Sequence, residues 1–341
     1  MRAHYPLQSL IGSGEEITSA AKAVAARFDL GRVRHVAPLS GAGRRNALIE
    51  TESDAWVLRV GTDPANLGNS SRGLATGLDV LRRERYFAAA IRDRAQLPSP
   101  WPYEIDAACD LLPRPYAVMP RLPGTTLWWS EDQDWEAVGV ALAETALALH
   151  RPAWPAAGNW DPATNDITPF DQNAGSRCRA RIADLIERIA ITSEPLDDES
   201  RTWVADQATI TDSAPADHAS LIHGDLVIGN VCMVRSDRTW SVTGVFDLEN
   251  ARIGDPEEDL VGHLWWACYG GRPEAAASFV RRYNQERPIS PRILVYLIAS
   301  MLDNWEFGRR NQEPWYGGAR TFGEWARPLY AAAAQALTHL S

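Results

Sequence analysis

Only four cysteines, at positions 109, 178, 232 and 268, occur in a chain of 341 residues. None forms a Cys-x-x-Cys pair or any metal-ligand spacing, so a zinc framework and a disulfide scaffold are excluded; they read as reduced thiols of a cytosolic protein. Long apolar runs are missing too. No stretch reaches the length of a membrane span, and residues 1–16 lack the apolar core of a secretory signal, so no membrane is expected as a partner. Positive charge is in deficit: 34 Lys and Arg stand against 44 Asp and Glu, a net charge of −10. That balance argues against nucleic acid as a partner, because phosphate backbones select basic faces, and it suits a cationic small molecule. Internal repeats and long low-complexity segments are also absent.

What is present is enough apolar material, 45% of the chain, for a large core and two lobes, as a monomer or a dimer. The informative stretch runs from Leu221 to Leu260. It opens with His223-Gly224-Asp225, and Asn230 follows five residues after the aspartate. Two β-like runs come next, 231–234 and 240–246, separated by the turn-forming Ser236-Asp237-Arg238, and the second run delivers Asp247. One carboxylate, then an amide and a second carboxylate across a hairpin, is the donor set phosphoryl transfer needs beside a magnesium nucleotide. Asp225 would receive the acceptor proton, and Asn230 and Asp247 would hold metal. Asp255-Pro256-Glu257-Glu258 reads instead as a helix start, with Asp255 as N-cap and Pro256 at N1.

The segment from His223 to Asn230 resembles the catalytic loop of the aminoglycoside phosphotransferase family, kinase-like enzymes acting on antibiotics and other small molecules. Phe246-Asp247-Leu248-Glu249 through Gly254-Asp255-Pro256 to Asp259-Leu260 resembles that family's metal-binding segment and the helix after it. Val227-Ile228 stands where the family often has His-Pro, and Leu248 where Trp is common; neither is a chemical position.

The resemblance implies an α+β, protein-kinase-like fold of two lobes. Residues 1–120 would form a small nucleotide-binding lobe with an antiparallel sheet, and 121–341 a mostly helical catalytic and acceptor-binding lobe. It further implies ATP or GTP with Mg2+ as cofactors, and transfer of the γ-phosphate to a small-molecule hydroxyl. An aminoglycoside-like antibiotic is the first acceptor expected, which would make the protein a resistance kinase. A macrolide, a peptide antibiotic, a sugar, homoserine or choline are the alternatives, and a nucleotide-binding module without chemistry is the reading from another class.

Along the chain, Ile17, Ala21, Val24 and Phe28 set a helix over 14–30. Strands at 36–39 and 47–50 flank a turn in which Ser40, Gly41 and Gly43 would lay backbone amides over nucleotide phosphates. The strand 55–60 is apolar except for Arg59, which stands where the kinase-like fold has its phosphate-binding Lys; a guanidinium can fork between carboxylate and phosphate. In the helix 78–94, Glu84 shares the apolar stripe of Val80, Phe87 and Ile91, so a buried partner is required, and the resemblance offers Arg59. Residues 116–124 resemble the strand and hinge between lobes, with Met119 and Arg121 beside the nucleotide base. Trp128, Trp129 and Trp135, among fourteen tryptophans, alternate with acidic residues as a candidate substrate wall. Helices are expected at 135–150, 178–190, 198–210, 261–269, 273–287, 291–310 and 322–340, with a loop at 152–169. Asp303 and Glu306 fall on one helical face beside Trp305, a combination able to hold an ammonium group; with Glu249 they make the acceptor-binding set.

Overall fold

The structure is a computed structural model that describes residues 14–39, 46–61, 74–129, 132–191, 195–209, 219–237, 239–311, 316 and 318–338. It begins with α1 (Gly14–Arg27), three residues shorter than the periodicity predicts, because Asp29 and Gly31 turn the chain at φ 52° and 92°. Strands β1 (Val33–Pro38), β2 (Asn46–Thr51), β3 (Ala55–Val60), β4 (Glu104–Asp106) and β5 (Tyr116–Pro120) form an antiparallel sheet in the order β1-β2-β3-β5-β4. The period of two sorts β3 by face. Leu58 and Val60 are buried with Ile17, Ala21 and Val24 of α1, while Val57 packs on the core of the other face. Arg59, opposite Ala117 in the register, takes that second face with Val57.

Helix α2 (Gly77–Ala90) starts at a capping box: the Asp79 amide donates to the Thr76 hydroxyl and the Thr76 amide to the Asp79 carboxylate. It continues through a π-turn (Ile91–Ala95) and stops at Gln96 in the left-handed region. Leu81, Phe87 and Ile91 are fully buried in the large core shared with the C-terminal part. By packing, then, α2 is anchored to the helical half as well as to the sheet.

The second half is built on α3 (Trp135–His150), which lies against α7 (Pro273–Asn284). Gly139 permits this close approach, since a Cβ there would sit 2.4 Å from the Ala275 carbonyl oxygen. Around them pack α4 (Ala174–Ala190), α5 (Asp198–Ala208), α6 (Glu257–Tyr269), α8 (Ile293–Asn311) and α9 (Phe322–Thr338). The expected loop at 152–169 holds three strands instead: β6 (Ala153–Trp154), β7 (Gly158–Asp161) and β8 (Asp166–Pro169). With β9 (Ala219–Ile222) and β12 (Arg252–Gly254) they complete a sheet in the order β6-β9-β12-β7-β8. Each is two to four residues long and punctuated by Pro, Asn and Asp, too short for a periodic signal; long-range pairing makes them strands. The hairpin β10 (Val231–Ser236)/β11 (Thr239–Val245) stands apart as its own sheet. Helix α6 starts at Glu257, four residues before the expected 261–269 span and one after the start that an Asp255 N-cap implies: Pro256 is the N-cap, and Asp255 accepts the Glu257 amide at 3.1 Å. No helix among the described residues is long and apolar enough to cross a membrane.

Candidate active site

Strand β9 delivers His223 to the floor of the cleft. Gly224 follows at φ +81°, where a Cβ would meet the Asn250 carbonyl oxygen at 2.4 Å, so only glycine lets the loop pass. The loop is clamped from below by the buried Asp259 of α6, whose two carboxylate oxygens accept the backbone N–H groups of His223 and Gly224, each at 2.6 Å. His150 lies 3.2 Å from the same carboxylate. Burial drives the Asp259 carboxyl up, but these donors prevail and hold it below its ordinary value. The His223 ring bridges both halves of the site: Nε2 donates to the Phe246 carbonyl at 2.8 Å and Nδ1 accepts the Asp225 amide at 3.3 Å, which defines the Nε2–H tautomer.

Asp225 therefore has a fixed backbone. Its carboxylate is fixed as well, because Asn230 Nδ2 donates to both its carbonyl and its Oδ2 at 2.8 Å. That leaves the Asn230 Oδ1 as the amide's acceptor atom. Pairing of Val231 with Val245 brings the two ends of the hairpin together, and the Phe246 amide donates to the Asn230 carbonyl at 3.1 Å. Asp247 comes next at φ 64°, a left-handed residue that ends the strand direction.

Arg59 reaches across from β3. Its guanidinium pairs with Glu84 of α2, with Asp247 at 3.0 Å and with Glu249 at 3.2 Å. Glu84 is 2% exposed and also accepts the Tyr103 hydroxyl at 2.5 Å. Burial opposes the charge on Arg59, but the three carboxylates outweigh it and raise its pKa well above the ordinary value, so it is a permanent cation. The carboxylates around it feel the opposite pressure. Burial, with the charge of Asp247, raises Glu249 to about 8. Burial also pushes Asp225 up to about 6, against the pull of His223 and Asn230 and with a further push from Asp247.

Glu84, Asp247 and Glu249 each place a carboxylate oxygen within 4.8 Å of the others. Several carboxylates gathered on Arg59, all hard oxygen donors, fit a magnesium ion. Asp247 and the Asn230 Oδ1 are the atoms that would hold it on the hairpin side.

The structure thus brings together Asp225, Asn230, Asp247, Arg59 and Glu84. It moves others. Glu249, expected at the acceptor, sits in the Arg59 cluster. Asp303, Trp305 and Glu306 do not form an open cation pocket. Asp303 pairs with Arg181 of α4 at 2.9 Å, Glu306 lies 3.0 Å from Arg188 and 3.3 Å from Arg310, and Trp305 is 2% exposed among Tyr316, Phe322 and Trp325. Their charges are already met by arginines, and the ring is core. Met119 is buried opposite Val57, and the Arg121 amide is spent on the Ala55 carbonyl at 2.9 Å, which leaves it no backbone donor for a base. Ser40, Gly41 and Gly43 lie outside the described residues. Sequence reasoning gives no role to Asp259, which it places only within the family-like segment, nor to Tyr103 or Arg83, the last donating from Nε (3.1 Å) and an Nη (2.7 Å) to the Ala251 carbonyl and so tying α2 to the Asp247 segment.

A sheet-bearing N-terminal part, a helical C-terminal part and a carboxylate–amide–carboxylate site with a buried Arg–Glu pair between them define a kinase-like phosphotransferase. The sequence model of the Phosphotransferase enzyme family (APH) matches residues 35–292, and the chain belongs to that family: it is a small-molecule phosphotransferase with an alcohol group as acceptor. No curated protein sequence matches it significantly. Solved structures resemble it in fold at low identity. A thermostable aminoglycoside phosphotransferase APH(4)-Ia in ternary complex with ADP and hygromycin B is 20% identical, with 94% of this chain and 98% of that chain covered and a TM-score of 0.63. The GDP complex of aminoglycoside 2'-phosphotransferase-IIIa is 17% identical, with coverages of 95% and 99% and a TM-score of 0.59. The GDP and kanamycin complex of APH(2")-IIia is 18% identical, with coverages of 93% and 97% and a TM-score of 0.58.

Proposed function

We propose that the protein moves the γ-phosphoryl group of ATP or GTP to a hydroxyl of a small molecule in the cytoplasm, with Asp225 as general base. The observation that carries this reading is the double hold on Asp225, by the Asn230 amide and by the loop that Asp259 clamps. A carboxylate with a pKa near 6 is ionised at neutral pH and still basic enough to take a proton as it leaves the attacking oxygen. Asn230 and Asp247 would hold magnesium, which would supply charge neutralisation of the phosphate oxygens. Arg59, held by Glu84, takes the phosphates by its remaining N–H groups; Glu84 is in turn fixed by Tyr103.

For the acceptor, an aminoglycoside-like antibiotic is the first reading, supported by family membership and by the aminoglycosides in the similar structures. A second reading, an acceptor that is not a polyamine, such as a macrolide, a peptide antibiotic, a sugar, homoserine or choline, is favoured by the arginine pairing of Asp303 and Glu306, which removes the polyamine-binding pair. Acceptor-stimulated ADP or GDP release across kanamycin, hygromycin B, a macrolide, a sugar and small alcohols separates the two. Stimulation by none of them would remove the hydroxyl-transfer reading for these acceptor classes.

A further inference from the structure

On the face of α2 turned away from Glu84 lies an open groove of about 850 Å³, closed on its far side by the β6–β8 segment. Arg82, Arg85, Arg94, Tyr86, Trp101 and Trp154 line it. In a chain of net charge −10, three guanidinium groups on one concave surface reverse the local balance. Arg82 and Arg85, three apart and therefore on one face of the helix, are exposed and make no ion pair with the described residues. Of the two acids of the groove, Asp93 pairs with Arg92 at 2.6 Å, and Asp166 accepts the Ile167 amide at 2.7 Å and the Tyr86 hydroxyl of the groove wall at 3.4 Å, so the three guanidinium groups outnumber the one carboxylate without an ion pair. Arg94 is pre-ordered, stacked 3.8 Å from the Trp154 ring and bonded to the Ala153 carbonyl at 3.2 Å. A guanidinium fixed in this way gives up little freedom when an anion arrives.

We propose that this groove is a second, non-catalytic binding site for a small aryl phosphate. Its phosphate is held by Arg82, Arg85 and Arg94, and its ring lies against the aromatic side chains. The volume is that of a drug-sized ligand; Arg94 is ordered on Trp154 and Arg92 lies 4.1 Å over Trp101, and the exposed Arg82 and Arg85 beside these rings and Tyr86 offer partners to both ends of such a molecule.

The site is coupled to the chemistry by α2 itself. The opposite face of the same turns carries Arg83 on the Ala251 carbonyl and Glu84 on Arg59. An occupant bridging α2 to the β6–β8 segment holds that helix in the position in which Arg59 is paired, so occupancy lowers the nucleotide KM. This second statement rests on the phosphate-binding role of Arg59 proposed above; the binding statement does not.

The test is calorimetric titration of phenyl phosphate into the full chain whose catalytic site is saturated with a magnesium–nonhydrolysable nucleotide, with inorganic phosphate as the comparison. Saturable binding of phenyl phosphate, tighter than inorganic phosphate and weakened at least about tenfold in Arg82→Gln/Arg85→Gln, is expected. Both substituted residues are exposed and outside the catalytic cluster, so basal turnover should be unchanged. No saturable binding, or equal binding by the double variant, overturns the site; equal affinity for inorganic phosphate overturns its aromatic half. An unchanged nucleotide KM in the presence of bound phenyl phosphate overturns the coupling while the site stands.

Discussion

The Asp259 carboxylate accepts the Gly224 amide at 2.6 Å, joining the first turn of α6 to the residue just before Asp225. Because its other oxygen takes the His223 amide, one buried side chain satisfies two consecutive loop donors. An amide in its place has a single oxygen for two donors and turns an N–H group toward one of them. Asp259→Asn should therefore cost about 2–4 kcal/mol of stability and reduce kcat even where the protein is folded. Urea unfolding with turnover at a permissive temperature checks this; a variant with wild-type values in both would deny the clamp.

Which parts of this site the sequence discloses follows from how local each signal is. Glu84 on an apolar helical stripe demands a cation, and Arg59 is the cation interrupting an apolar strand; burial shows the need, and the family resemblance joins the two. Asp259 is different. It reads as an ordinary acid in the first turn of a helix, and its partners lie 35 and 36 residues away in a loop with no pattern of its own. Asp303 and Glu306 mislead for the same reason. Their spacing is visible, but the arginines that neutralise them come partly from α4, whose packing on α8 no local pattern reveals. Strands β6 to β8 are short enough that only their partners make them strands.

Gly224→Ala tests the steric half of the loop. The methyl group would fall 2.4 Å from a backbone oxygen at a φ that disfavours any side chain, so the loop must shift. Turnover should fall at least about tenfold, and stability by roughly 1–3 kcal/mol. Wild-type kinetics in the purified variant would show that the loop has room the geometry denies.

The pKa of Asp225 gives the pH profile a direction. Burial holds the free-enzyme carboxyl near 6, above the ordinary aspartate value, and a base works only when ionised. The kcat/KM should fall as pH drops through about 6, with an acid limb of that midpoint. An activity flat down to pH 4.5 would contradict the assignment.

His263 gives stability a pH dependence of its own. It is buried between the rings of Trp129 and Phe279, and burial lowers its pKa to about 4. The unfolded chain takes up this proton near the ordinary histidine value of about 6.5, and the folded chain only near 4. The stabilising contribution is complete above about 6.5 and is lost progressively as pH falls toward 4, amounting to about 2 kcal/mol by pH 5. His263→Leu should unfold with a weaker acid dependence over that window. Parallel stability curves for the two proteins would place the acid sensitivity elsewhere.

The central claim is that Asp225 accepts the proton of a hydroxyl that becomes phosphorylated. Single-turnover transfer of a γ-labelled phosphoryl group to the best acceptor, compared between wild type and Asp225→Asn, tests it most directly. The account predicts a rate lowered by roughly 10²–10⁴ in the variant, with magnesium-nucleotide affinity close to wild type. An Asp225→Asn variant that transfers phosphate at more than half the wild-type rate would contradict it.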